Sequence, residues 1–389
     1  MSKPPFWKVK REVARAYAQL LAGPSFLVQF FAATPYHDRF LAPKRRMTSG
    51  RLARGDRVAI YLIFPKSGVL RSHLRALNYL VASGYAPLVV SNCPLAASDL
   101  EKLAPVSWTI MERQNFGYDF GGYRDAVLFL NAQVADLTRL ALFNDSTWFP
   151  LPGSMDWLAE AEALGVDYAA ASWSGAIDRP APKDFTRIEW HPDKQRRNFH
   201  YASFALCLSQ TILQDPDFLR FWQKFRLTQD KSRTVRRGEI GLTKWVLEKG
   251  FSHGSTTELA NLGDLLHEMP DVSLLQLFRQ VSVLDDAEMT SQKRKLLAAL
   301  DRGQTDRNLV EKLILMITAR RGAVYALADY LIREKRFAFL KKSLASLADG
   351  GADQISALAT DFGDPVGSEI LQELALTAPK QTAGTLPGP

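Results

Sequence analysis

Cysteine is almost missing from this chain: Cys93 and Cys207 are the only two in 389 residues. Two isolated thiols in apolar surroundings make neither a disulfide framework nor a zinc cluster, so a reducing, cytoplasmic setting is expected. Histidine is scarce as well, and His37, His73, His191, His253 and His267 show no zinc-ligand spacing. The sequence has no Walker loop, no nucleophile elbow and no dinucleotide fingerprint, which argues against the phosphate-binding and hydrolase families built on them. Long hydrophobic runs are lacking too. The stretch from Ala16 to Thr34 is broken by Gln19, Gly23, Pro24, Ser25 and Gln29 and makes a poor transmembrane span.

What is present is ordinary globular material, with 47% apolar and 23% charged residues. The length suits one large domain with an extension, or two domains. The net charge of +8 is unevenly spread. Residues 1–50 hold nine basic residues (Lys3, Lys8, Lys10, Arg11, Arg15, Arg39, Lys44, Arg45, Arg46) against Glu12 and Asp38, so seven of the eight excess charges lie there. Val9, Val13, Tyr17, Leu20 and Leu21 share one helical face, and Lys8, Arg11 and Arg15 another. Such a basic amphipathic helix suits an anionic membrane surface; packing on the protein's own body is the alternative. No nucleic-acid partner is expected.

From Arg57 a regular alternation begins. Val58–Phe64, Ala86–Val90, Val106–Met111 and Leu140–Phe143 read as short buried strands. Between them Leu70, Leu74, Leu77 and Val81, then Tyr123, Val127 and Leu130, repeat at helical spacing. Strands alternating with helices predict an α/β fold with a mostly parallel sheet covered on both faces. Asp167–Ser172 and Tyr201–Leu208 read as further strands, and 174–198 as a polar loop. Beyond residue 256 helical patterns follow one another and no strand run is evident. The expected organisation is a basic amino-terminal segment (1–56), an α/β domain (57–255), a helical extension (256–376) and a disordered tail (377–389).

Chemistry concentrates at two strand ends. Arg113-Gln-Asn-Phe-Gly-Tyr-Asp-Phe-Gly-Gly-Tyr-Arg124 packs three glycines, two arginines, an asparagine and an aspartate between an apolar strand and an apolar helix. Its glycines allow close backbone approach to a ligand, and the start of the helix favours an anion. Asn144-Asp145-Ser146 closes the next strand, and ligands of open α/β sheets sit outside such carboxyl ends. Asp145 offers oxygen to a hard cation, magnesium or manganese, although an Asx turn would use the same residues. Glu239 reads as a residue at a helix start, either a cap or a carboxylate that takes a proton from a hydroxyl. Lys231, Arg233, Arg236 and Arg237 nearby would suit phosphate groups. His200 precedes an apolar strand and is either a hydrogen-bonded structural residue or a site residue.

These motifs resemble the rhamnan synthesis protein F family. The resemblance rests on Arg113-x-Asn115-x-Gly117-Tyr-Asp119-Phe-Gly-Gly-Tyr-Arg124, Asn144-Asp145-Ser146 with Pro150, His200-Tyr-Ala-Ser203 and Glu239-Ile-Gly-Leu-Thr. It covers roughly residues 57–255. It implies a glycosyltransferase of GT-A-like fold that moves a sugar, with dTDP-rhamnose as a candidate donor, to a surface polysaccharide, lipopolysaccharide or lipid-linked glycan acceptor. By that resemblance Glu239 is the base and Asp145 the metal ligand beside the diphosphate. Arg113, Asn115, Gly117, Asp119, Arg124, Asn144, Ser146 and His200 would bind the donor. Asp119 is expected at the base or ribose, and Arg113 or Arg124 at the diphosphate. Inverting stereochemistry and a place on the inner face of the cell membrane are further implications. Asn144-Asp145-Ser146 departs from the Asp-x-Asp pair usual in such enzymes, which leaves the need for a metal open. A non-catalytic glycan- or nucleotide-binding component of a membrane assembly complex is the alternative.

Overall fold

The computed structural model describes residues 31–304, 306–348 and 350–377. In chain order its strands are β1 (Arg46–Ser49), β2 (Arg57–Ile63), β3 (Ala86–Ser91), β4 (Thr109–Glu112), β5 (Arg139–Asn144), β6 (Thr147–Trp148), β7 (Tyr168–Ala170), β8 (Trp173–Ser174), β9 (His200–Tyr201), β10 (Ala205–Ser209), β11 (His253–Ser255) and β12 (Leu340–Lys341). Eight of them form one sheet in the order β1-β4-β3-β2-β5-β10-β7-β11. Neighbours from β4 to β5 are parallel, β10 enters antiparallel between β5 and β7, and β1 closes one edge antiparallel. The expected α/β architecture with a mostly parallel sheet is therefore what forms.

The sheet centre follows from its sequence. All six residues of β3 and six of the seven in β2 are buried, the pattern of strands covered on both faces. Side chains alternate along β2, as strand geometry requires. Ala59, Tyr61 and Ile63 join one core with the Arg71–Ala82 helix and helices that follow Ser255. Val58, Ile60 and Leu62 join the other with Phe120, Tyr123 and Val127 of the Tyr118–Leu130 helix and with Phe218 and Trp222. The first core continues into Leu313, Ile314 and Met316 of the Arg307–Arg321 helix, so the sheet and the helical segment share one interior.

Two local expectations need correction. Tyr201–Leu208 is not one strand: β9 pairs with β8 while β10 pairs with β5 and β7, and the chain bends at Ala202–Phe204 to change partners. The region after residue 256 is not purely helical either. The two-residue strand β12 pairs antiparallel with β6, with Lys341 opposite Thr147. Two residues are too few to leave a periodic signal.

Of the basic amino-terminal segment, residues 31–49 fold against the body. His37 is buried, Asp38 binds Arg124, the Thr34 hydroxyl accepts the Leu227 N–H, and β1 is an edge of the sheet. The amphipathic positions Val9–Leu21 lie outside the described residues, as does the tail 378–389.

Candidate functional site

Beyond the carboxyl end of β5 and the amino end of β10 lies a cleft of about 410 Å³, lined by residues of the sheet, of the Tyr118–Leu130 helix and of the helical segment after Ser255. The turn after β5, which ends at Asn144, sorts the Asn144-Asp145-Ser146 triplet at its edge. Asn144 and Ser146 face the cleft, whereas Asp145 faces a second cavity lined by Phe64, His73, Lys342 and Glu373. Asn144 holds the near wall together. Its Oδ1 accepts from Ser146 N at 3.1 Å and from Ser146 Oγ at 2.5 Å, and its Nδ2 donates to Asp119 Oδ2 at 3.0 Å.

Asp119 stands in the first turn of the Tyr118–Leu130 helix. Burial, followed by the charges of Asp145 and Glu239, pushes its pKa up to about 6. The turn that delivers it depends on Gly117, whose φ of +82° lies in the left-handed region. A Cβ there would also meet Leu227 Cδ2 at 2.8 Å. The Gly117 N–H donates to Gln229 Oε1 at 3.0 Å rather than pointing into the cleft.

Across the cleft stands Glu239. It is not at a helix start: Asp230 caps the helix that begins at Lys231, its side chain accepting the Arg233 N–H. Glu239 lies within one π-turn, Arg236–Ile240, before α-helix resumes at Gly241. Such turns recur at functional sites because they re-aim a side chain without ending the helix. Gly238 lets the π-turn close on the Phe120 ring, where a Cβ would come within 2.3 Å. Glu239 Oε1 accepts from Ser203 Oγ at 2.6 Å, and Oε2 lies 3.6 Å from His200 Nε2. His200 Nδ1 is 2.8 Å from the Asn198 carbonyl, which can only accept, so that bond assigns the ring proton to Nδ1. In the neutral ring Nε2 is then an acceptor, and Glu239 and His200 offer two proton acceptors to one point in the cleft.

The structure thus gathers Asp119, Asn144, Ser146, His200 and Glu239 from four separate stretches of sequence. It does not bring Arg113 or Arg124 to them. Arg113 donates to Asp125 Oδ2 at 2.7 Å, to the Phe116 carbonyl at 2.7 Å and to Asn92. Arg124 forms a bidentate pair with Asp38, at 2.6 and 2.8 Å, and also donates to the Trp222 carbonyl. Both guanidinium groups are buried as internal ties, so the diphosphate contacts expected of them are not supported by their geometry. Asn115 is exposed, and its carbonyl accepts a long bond from Gln229.

Asp145 is also turned away from Glu239. It accepts from Phe64 N at 2.7 Å and lies 3.3 Å from His73 Nε2. Burial alone would raise its pKa, but His73, Lys342 and the Phe64 N–H together hold it below the usual carboxylate range. Among the described residues no three of His, Cys, Asp and Glu gather as a cation site. The cleft side of the strand-end triplet offers only the neutral Asn144 and Ser146. The triplet itself therefore gives no carboxylate to a magnesium or manganese ion in the cleft, where the carboxylates are Asp119 and Glu239.

One cleft residue left no local signal in the sequence. Lys341 of β12 reaches Ser146 Oγ at 3.1 Å from 195 positions away. Arg321 and Tyr325 of the helical segment line the cleft as well, and so does Lys231, already conspicuous as one of a basic group.

Comparison with known proteins agrees with the motifs. Residues 88–336 match the family model described as rhamnan synthesis protein F. An uncharacterised protein, y4gN of Sinorhizobium fredii, is 29% identical over 248 residues, which is 64% of this chain and 60% of that protein. This chain therefore spans less than two thirds of that relative's length. Among solved structures, core-mannan synthase A of Aspergillus fumigatus in its Mn/GDP form aligns with a TM-score of 0.28 and 9% identity, over 45% of this chain and 65% of that one. The mannosyltransferase Ktr4p of S. cerevisiae gives 0.24 and 8%, over 46% and 62%. The mannosyltransferase PcManGT of Pyrobaculum calidifontis, solved with GDP-Man and Mn2+, gives 0.29 and 12%, over 94% and 91%. Scores this low carry no argument about chemistry.

Proposed function

Because the chain belongs to the rhamnan synthesis protein F family, we propose that it is a glycosyltransferase moving a sugar from a nucleotide-sugar donor to a cell-surface glycan. The observation that carries this reading is the Glu239 carboxylate, held by Ser203 beside His200 and facing Asp119 and Asn144 in the same cleft. A glycosyl transfer needs one group to take a proton and another wall to hold the donor, and this cleft has both.

The acceptor hydroxyl gives its proton to Glu239 as its oxygen bonds the anomeric carbon. The bond from that carbon to the diphosphate oxygen breaks, and the nucleoside diphosphate leaves with the electron pair. A single displacement of this kind inverts the anomeric centre. Asp119 and Asn144 orient the donor, and His200 offers a second acceptor beside Glu239. A rhamnosyl donor such as dTDP-rhamnose and a polysaccharide, lipopolysaccharide or lipid-linked glycan acceptor are the specific assignments that the family membership favours.

Titrating the full chain with dTDP, UDP and GDP tests the reading. One of them is expected to bind, and the matching sugar nucleotide to be turned over when acceptor glycan is supplied. Absence of binding for every nucleotide would sink the proposal.

A peripheral position on the cytoplasmic membrane face is proposed as well, supported by the seven excess positive charges of residues 1–50. Among the described residues no helix is long and apolar enough to cross a membrane. Replacing Lys3, Lys8, Lys10, Arg11 and Arg15 by glutamine removes five of the nine basic residues in that segment and changes none of the described residues. The substituted chain is expected to stay in the supernatant when wild type sediments with vesicles containing anionic lipid. Equal sedimentation would refute the membrane assignment.

A further inference from the structure

Resting on the sugar-transfer reading, we propose that the Lys341 ammonium is the cation that receives the donor diphosphate, in the place where related chemistry employs a divalent metal. The backbone fixes this lysine at the strand-end triplet. β12 pairs with β6 directly after Ser146, with Lys341 opposite Thr147, and Lys342 N donates to the Ser146 carbonyl at 3.0 Å. β12 ends at Lys341, and the turn that begins at Lys342 leaves the consecutive lysines on opposite sides. Lys342 goes to the second cavity, where its Nζ binds Ser72 Oγ and Glu373 Oε2, each at 3.2 Å. Lys341 goes to the cleft that holds Asp119, Asn144 and Glu239.

The side chain of Lys341 is held but not exhausted. It is 9% exposed, and its ammonium lies 3.9 Å from the centre of the Phe204 ring, a contact that stabilises a desolvated cation. Its one hydrogen-bond acceptor among the described residues is Ser146 Oγ, and an ammonium has three protons to give. Two protons therefore remain for a ligand. Ser146 Oγ already donates to Asn144 Oδ1, so its acceptance from Lys341 completes a chain Lys341–Ser146–Asn144–Asp119 along the cleft wall. Burial pushes the lysine pKa down to about 8, against the opposing pull of Glu239 and Asp119.

Of the triplet itself only the neutral Asn144 and Ser146 face the cleft, while Asp145, its carboxylate, faces the second cavity. A positive charge stands in the cleft nonetheless, on a side chain, within hydrogen-bond reach of Ser146. As the bond between anomeric carbon and diphosphate oxygen breaks, negative charge gathers on that oxygen, and the two unused ammonium protons are placed to meet it. The proton released by the acceptor hydroxyl goes to Glu239, so Lys341 keeps its own protons throughout.

The test is binding of the nucleoside diphosphate that the titration above selects, measured on the full chain in EDTA and in manganese, beside the free nucleoside. Wild type is expected to bind the diphosphate equally in both solutions. Lys341→Met should weaken diphosphate binding about tenfold or more, the loss of a charge-assisted hydrogen bond, with nucleoside affinity unchanged. Lys341→Arg should restore part of the loss. The chelator arm needs no variant and stands even if Lys341→Met fails to fold. Wild-type binding that requires manganese overturns the Lys341 assignment alone, as does undiminished binding by folded Lys341→Met. No binding of any diphosphate by wild type in either solution overturns the transfer reading and this assignment with it.

Discussion

Glu239→Gln is expected to lower turnover about a hundredfold or more while donor affinity and thermal stability stay close to wild type. The amide keeps the shape of the carboxylate and can still accept the Ser203 hydroxyl proton through its oxygen. What it cannot do is take a proton from an acceptor hydroxyl. The substitution should also be structurally mild. Asp230 caps this helix, nine positions earlier, so no helix-terminal N–H depends on Glu239, and the amide oxygen can still accept the long bond from the Ser203 N–H. A change confined to the chemical step lowers kcat and kcat/KM together with little effect on donor binding. Steady-state kinetics, nucleotide titration and a melting curve on the same preparation separate these quantities. Near-normal turnover in folded Glu239→Gln would remove this residue from the chemistry.

Why Glu239 reads from sequence as a helix start, when it lies in the middle of one, is instructive. Gly238 breaks the helical pattern, since glycine is costly in a helix interior. Its use appears only in three dimensions, where the missing side chain lets the π-turn close on Phe120. The strand-end triplet misleads in another way: β5 ends at Asn144, and the turn through Asp145 and Ser146, closed by the Ser146 N–H on Asn144 Oδ1, sends Asp145 to the second cavity, which no strand period announces. The central strands and the covering helices were legible, because their apolar runs and stripes are long. Lys341 was not, because β12 is two residues long and finds its partner only through the fold. The two arginines of the glycine-rich segment mislead for a related reason. Asp38, the partner of Arg124, lies 86 positions away, and only the structure reveals that its charge is satisfied internally.

Arg113 should therefore matter to folding rather than to the donor. Its side chain is 2% exposed and that of Asp125 is 3% exposed, so the pair is fully desolvated. Replacing one partner of a buried pair costs about 3–5 kcal/mol, and with His37 at 3.3 Å and Arg124 at 3.9 Å still beside Asp125 the loss falls at the lower end of that range. Arg113→Met is expected to destabilise the protein by that amount in a denaturant titration. Arg124→Met should cost less, since its partner Asp38 is 44% exposed and partly solvated. The pH dependence carries a definite sign. Burial alone would raise the pKa of Asp125, but His37 and Arg113 outweigh it and hold the carboxyl below its ordinary value. A carboxyl depressed in this way contributes stability that is present above its unfolded pKa and lost as pH falls through the folded one. Without Arg113, Asp125 is relieved by taking up a proton, so the gap between Arg113→Met and wild type should narrow as pH drops below about 4. His37 adds a term of opposite sense at higher pH. Burial works against its protonation, but hydrogen bonds to Asp125 and Asp38 raise its pKa above the ordinary value. That contribution is full below about 6.5 and fades as pH rises through the folded pKa. A stability loss constant across acidic pH would contradict the buried pair. Unchanged stability with weakened diphosphate binding would return Arg113 to the donor site, because a guanidinium already satisfied by Asp125, Asn92 and Phe116 has no reason to affect a ligand alone.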